Sequence, residues 1–197
     1  MGTNEDGGAR AARDEEVDER ELAARLGRIA EHEASVSLTP FGRALRVLGR
    51  TRAFAEVYRR VGPRADVWLE RRFRGQVAGR LYGLPALVLV TIGNKSGQPR
   101  PSTLLYIRDG EDFVVVGTNF GQAHHPAWTT NLMAEPRATV ELGPAKVPVL
   151  AKLVDDAGFA ATWPRFVDLY PGYAGYLARC GRQPRMFRLT PTPGRAR

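Results

Sequence analysis

A mainly antiparallel β-barrel or α+β domain with interspersed helices and an amino-terminal helical extension is the fold class that this sequence predicts. Two observations carry that expectation. About six short segments have extended character, and Gly, Pro and Asp turns join them with no regular strand-helix-strand rhythm, which argues against a doubly wound sheet. The chain has 197 residues, 43% of them hydrophobic and 25% charged, enough for one core plus a tail.

The elements follow in order. Residues 1–37 are rich in Gly, Ala, Arg and acids and poor in large apolar side chains, so a disordered tail is expected. Within it, Val17, Leu22, Leu26 and Ile29 fall near helical spacing and suggest a transient helix over 14–34 that can dock on a partner. Residues 38–74 are expected to form a basic amphipathic helical extension. Thr39 caps it and Pro40 opens it at a position where the missing N–H costs nothing. Over residues 40–61, Phe41, Leu45, Leu48, Phe54, Val57, Tyr58 and Val61 share roughly one face, with arginines elsewhere. Such a helix either packs on its own core or lies on an anionic membrane face.

After Pro85 the period changes. The branched run over 86–92 predicts a buried strand, GNKSG over 93–97 a turn, and 100–108 and 113–117 a hairpin closed around Asp109 and Gly110. A short helix is expected over 127–134, strands over 138–142 and 146–154, and a helix capped by Asp155 or Asp156. The segment carrying Tyr170, Tyr173 and Tyr176 brings three phenols to one side if it stays helical past Pro171, and 186–189 closes the sheet.

Net charge is +8, unevenly placed. Residues 1–36 carry 5 Arg against 10 acids, and residues 41–80 carry 11 Arg against 3 acids. A basic body attracts an anionic partner, but Arg outnumbers Lys 26 to 3, which reflects genome composition as readily as anion recognition. A nucleic-acid-binding module is disfavoured because the basic residues lack an interleaved aromatic stripe. No apolar run reaches the ~18 residues of a membrane span, no signal peptide stands out, and Cys180 alone forms no internal disulfide, so a cytoplasmic location is expected.

Common catalytic schemes find little support. There is no Walker or Rossmann glycine fingerprint after a strand and no helical His pair, and adjacent His124 and His125 would point apart, so no metal is expected. Cys180, near Arg182, reads as a packed thiol. The turn from Gly93 to Arg100 is richer: exposed amides, Ser96, Lys95 and Arg100 make either an anion cradle or a polar hairpin turn.

Three collinear stretches, LVLVTIGNKSGQPRPSTLLYIRDG, VVVGTNFGQAHHPAWTTNLMAEPRATVEL and WPRFVDLYPGYAGY, resemble the deazaflavin-dependent nitroreductase family, which uses coenzyme F420, an 8-hydroxy-5-deazaflavin. The resemblance covers residues 75–190. It implies a split β-barrel of the flavin-binding type as the deazaflavin-binding domain, with 191–197 a flexible carboxyl terminus. It also implies cofactor contacts from Asn94, Lys95 and Ser96 at the turn, from Arg100, Pro101, Ser102, Thr103, Leu104 and Leu105 on the next strand, and from Val116, Gly117, Thr118 and Asn119 beside the ring system. Ala127, Trp128, Thr129, Thr130 and Asn131 follow at a helix entry, where Trp128 serves equally well as a core anchor.

By the same resemblance Tyr170, Tyr173 and Tyr176 line the acceptor pocket as catalytic candidates, with Tyr173 also near the cofactor; a half-buried packing stripe is the alternative. Two positions depart from the family pattern: Asn94 stands in place of an arginine, and Met133 in place of a lysine common among members. The implied activity is hydride transfer from reduced F420 to an electrophilic small molecule: a quinone, a conjugated carbonyl or a nitroaromatic. Alternatives are a noncatalytic F420-binding carrier, or an FMN-binding oxidoreductase on the same barrel. Peripheral contact with the inner face of the membrane through residues 40–61 would bring such an enzyme to lipid-soluble quinones. A homodimer would cover open strand edges.

Overall fold

The computed structural model describes residues 5–35 and 83–193, with side chains placed from residue 18 to 33 in the first of these segments. The expected basic helix over 38–74, and with it the membrane-facing stretch 40–61, lies outside the described residues. The elements are α1 (Glu5–Ser35), β1 (Ala86–Ile92), β2 (Pro99–Asp109), β3 (Asp112–Gly117), a 3-10 turn (Asn119–Gly121), α2 (Ala127–Ala134), β4 (Arg137–Leu142), β5 (Ala145–Leu153), α3 (Asp156–Leu169), α4 (Gly172–Cys180) and β6 (Arg185–Pro191).

The six strands close into an antiparallel barrel in the order β1-β2-β3-β6-β5-β4. Alternation explains the interior. On β1, Leu87, Leu89 and Thr91 point in and are almost fully buried, while Val88 and Val90 point out. Facing them are Val140 and Leu142 of β4, Val147 and Val149 of β5, Phe113 and Val115 of β3, and Phe187 and Leu189 of β6. Both ends of this core are plugged by helices. At one end α2 inserts Trp128 and Leu132, with the Trp128 ring 5.8 Å from that of Phe187.

At the other end sits α1, where the sequence had suggested a disordered tail. Ile29 is 0% exposed inside the barrel cluster, and Leu22 packs against it. Polar contacts fix the rest: Arg25 donates to the Lys146 carbonyl at 3.2 Å, Tyr106 donates its hydroxyl to Glu33 at 2.5 Å, and the His32 ring lies against Gly143. The thin apolar stripe is too weak to hold a helix alone. It becomes sufficient when an open barrel end supplies the rest of the core.

A second apolar layer covers the outer face of β2, β3 and β6. Leu105, Ile107, Val114, Val116 and Met186 meet Phe159, Phe166 and Leu169 of α3 there. Asp155 caps α3, accepting from the Gly158 amide at 2.8 Å. The helical segment does not continue through the tyrosines: α3 ends at Leu169, Tyr170 is extended (φ −143°, ψ 104°), and α4 starts afresh at Gly172. The residue before a proline is pushed out of the helical region, which is why Tyr170 breaks the run ahead of Pro171.

Candidate functional site

The strand register opens a slot in the barrel wall. β2 pairs with β1 along residues 99–105, yet with β3 only along residues 106–109. Val116 and Gly117, at the end of β3, pair with β6 alone. The β3-facing edge of residues 99–105 therefore has no strand partner among the described residues. Pro99, Arg100 and Pro101 are exposed and Ser102, Thr103, Leu104 and Leu105 only half-buried along it. Both lips of the slot, residues 100–105 and 116–119, are segments that the resemblance implicates in cofactor contact.

The turn before β2 stands at one end of this slot, and its chemistry differs from the sequence expectation. The amides of Gly93, Ser96 and Gly97 bond within the turn, that of Gln98 bonds the Ser96 hydroxyl, and that of Asn94 donates to Asn131 Oδ1 at 3.0 Å. Those amides are spent on holding the turn, with Gly97 in the left-handed region (φ 63°) that favours glycine. Its attraction for anions rests instead on the exposed Lys95 and Arg100 side chains. Neither is paired with a carboxylate among the described residues, and Arg100 donates to Ser96 Oγ at 3.3 Å.

One short helix ties both lips together. Asn131 of α2 receives the Asn94 amide and passes its own Nδ2 to Thr91 Oγ1 at 3.0 Å, pinning the turn to β1. At the start of the same helix a Cβ on Gly117 would lie 2.6 Å from Thr129 Cγ2 and 3.3 Å from Trp128, so only glycine lets β3 approach. Trp128, Thr129 and Asn131 are buried and do this structural work, whereas Ala127 and Thr130 are open to solvent. Met133, also on α2, is 52% exposed.

The three tyrosines do converge. Tyr173 lies 5.8 Å from both Tyr170 and Tyr176, near-perpendicular to each, and Trp163 and Phe166 enclose it further. All three are buried, in the same apolar cluster as Leu105 and Val116 from the two lips and the neighbouring Phe120. Burial pushes Tyr170 up to about 12, moderated by a hydrogen bond with Tyr176, and burial also raises Tyr173. At neutral pH Tyr170 and Tyr173 therefore stay protonated, able to donate a hydrogen bond and unsuited to act as bases.

Several residues were not singled out as site residues from the sequence. Phe120, with φ 54°, lies with its ring 5.9 Å from that of Tyr176, and the Arg179 guanidinium lies over the Tyr176 ring, 5.2 Å from its centroid. Arg182 reaches under the 117–125 loop. Cys180 is buried, with its thiol 2.9 Å from the Arg182 carbonyl, as a packed thiol should be. No periodic signal marks any of these contacts; the aromatic and arginine content near the tyrosines was the only available hint. A separate cavity of about 150 Å³ on the outer face of β1, β4 and β5, lined by Val90, Ile92 and Pro148 among others, includes none of the expected site residues.

The donor set suits a deazaflavin with an anionic tail. The slot has apolar and hydroxyl-bearing walls, two cations without a carboxylate partner among the described residues stand at one end, and buried phenols lie beside it. Comparison with known proteins points the same way. An F420H(2)-dependent quinone reductase of Mycobacterium tuberculosis (H37Rv) is 36% identical over 96 residues, covering 47% of this chain and 64% of that relative. The chain thus spans less than two thirds of that relative's length. A shorter M. tuberculosis relative, assigned by name to the same family, is 35% identical over 96 residues, which cover 81% of it and 49% of this chain.

Among solved structures, an F420-H2-dependent reductase superposes with a TM-score of 0.50 at 27% identity, covering 53% of this chain and 93% of its own. A chain described as a domain-swapped dimer superposes with the same score at 25% identity, covering 64% of this chain and 98% of its own. The split barrel anticipated from the three collinear motifs is the architecture found. With residues 61–191 matching the profile of the F420H(2)-dependent quinone reductases, this chain belongs to that family.

Proposed function

We propose that this protein binds coenzyme F420 in the slot between β2 and β3 and reduces an electrophilic small molecule, a quinone foremost, at the tyrosine cluster. A single feature carries the assignment: a stretch of β2 whose β3-facing edge has no strand partner among the described residues, with Lys95 and Arg100 at one end, shares an apolar cluster with three buried phenols. The reduced cofactor, when bound, supplies the hydride. The protein's part is placement and polarity. Lys95 and Arg100 attract the phosphate and carboxylates of the tail, with the Ser96 hydroxyl as a further donor. Leu104, Leu105 and Val116 form apolar walls that exclude water from the reacting face. Tyr176, or Tyr170 through it, donates a proton-bearing hydroxyl toward the acceptor oxygen as negative charge develops there.

Conjugated carbonyls and nitroaromatics present an oxygen of the same kind and fall within the same proposal. Contact of residues 40–61 with an anionic membrane would deliver lipid-soluble quinones, and pairing of two copies would cover open edges. The two charge losses, Asn94 and Met133, favour a second reading, a noncatalytic F420 carrier. Fluorescence titration with oxidised F420 and, in parallel, with FMN tests the first step. F420 binding that weakens about tenfold in a Lys95→Ala/Arg100→Ala double variant supports the assignment. FMN binding in its place would move the protein to another hydride donor. Binding with no oxidation of the reduced cofactor by any quinone, conjugated carbonyl or nitro compound would make it a carrier.

A further inference from the structure

Arg182, in the connection between α4 and β6, spends its whole guanidinium on one loop. Its Nε donates to the Ala123 carbonyl at 3.0 Å and one terminal nitrogen to the His124 carbonyl at 2.9 Å, with longer contacts to the Gly117, Thr118 and Gln122 carbonyls. The other terminal nitrogen lies 2.9 Å from His125 Nδ1. No carboxylate pairs with it among the described residues. Arginine is well suited to this because five N–H groups in a rigid fork can serve several carbonyls at once.

That loop needs holding. Asn119 and Phe120 both occupy the left-handed region, at φ 49° and 54°, where non-glycine residues are strained. The strained conformation places Thr118 and Asn119 at the slot's lip and directs Phe120 onto Tyr176. Within the loop Asn119 Nδ2 donates to the His124 carbonyl at 3.1 Å, and from outside it Arg179 adds a 3.5 Å contact to the Phe120 carbonyl.

We propose that Arg182 is a positioning residue, a latch that keeps the 117–125 loop in the conformation forming one lip of the cofactor slot, with His125 as its second half. The functional consequence rests on the reading of the slot given above. Only a neutral His125 ring can accept at Nδ1. The charged groups facing it are Arg182 and, from the start of β6, Arg185, both cations, so protonating the ring sets it against the fork that it completes. The latch is therefore closed at neutral pH and released on acidification.

Amide hydrogen exchange over residues 118–125 in the ligand-free full-length protein tests the latch, and F420 fluorescence titration tests its consequence. In Arg182→Lys, which keeps the charge and loses the fork, exchange across the loop should speed up at neutral pH, and the F420 Kd should rise by about tenfold. In the wild type the same loosening should set in on acidification, at a pH below the ordinary histidine value of about 6.5. His125→Asn retains an acceptor near the Nδ1 position without titrating in this range, and it should abolish the pH dependence. Unchanged loop exchange in Arg182→Lys, at neutral and acidic pH alike, overturns the latch. So does a wild-type pH response that survives in His125→Asn, and this arm decides the matter if the Lys variant does not fold. Faster loop exchange in a protein that binds no F420 keeps the latch and overturns the reading of the slot.

Discussion

At the residue scale, the proposed chemistry turns on a cluster of buried phenols. Tyr170 is raised to about 12 and Tyr173 is raised as well, so a rate profile between pH 6 and 9 should carry no limb from either phenol. Loss of the Tyr176 hydroxyl should matter more for turnover than for binding. We expect Tyr176→Phe to lower kcat by about tenfold to a hundredfold while F420 affinity stays within about twofold, measured by steady-state kinetics beside fluorescence titration; unchanged turnover would remove the hydroxyl from the mechanism. Gly117 is a separate case. A methyl there would meet the Thr129 methyl at 2.6 Å, in backbone and core that cannot retreat far, so Gly117→Ala should cost about 1–3 kcal/mol of stability by chemical denaturation.

At the element scale, α1 and α2 are both plugs, and they differ in what they protect. The second fastens the turn through Asn131 and the end of β3 through Thr129, so it sets the width of the slot. The first closes the far end of the barrel, where the β2–β3 and β4–β5 turns lie. Its stabilising contact is mostly Ile29, fully buried among barrel residues. Truncating that side chain leaves a cavity inside a closed barrel, and Ile29→Ala should lower unfolding stability by about 2–4 kcal/mol, read from denaturant melts. If α1 were a passive tail the midpoint would not move.

For the molecule as a whole, the barrel's charged rim makes stability depend on pH. Arg188 bonds both Asp109 and Asp112 across the β3–β6 side, and Arg165 of α3 adds to it. Arg188 first, then Arg165, holds the Asp109 carboxyl below its ordinary range. A carboxylate depressed in the folded state contributes stability that is present above its unfolded pKa, near 4, and is lost as pH falls through the lower folded value. His125 is also depressed, by burial and then by Arg182 and Arg185, and its contribution is lost at higher pH, as the solution falls below about 6.5. Thermal melts should therefore show two descending steps on acidification; Asp109→Asn should remove the lower one and leave the upper.

Much of this protein is written locally. The branched run after Pro85 placed β1 at Ala86–Ile92, and the helix after Pro126 was expected over the residues that form α2, because hydrophobic period and turn residues act within a few positions. The cationic turn and the clustering of Tyr170, Tyr173 and Tyr176 were legible for the same reason, even though the chain between the first two tyrosines is not helical. What only tertiary structure decided are contacts between residues far apart in sequence. Ile29 finds its core some sixty residues downstream or more, the register of β3 leaves the β2 edge without a partner among the described residues, and Arg182 reaches back to a loop beginning at Gly117. Periodicity encodes which face of an element is apolar. Which open end, edge or ring of carbonyls that face or fork will meet is set by how the elements close on one another.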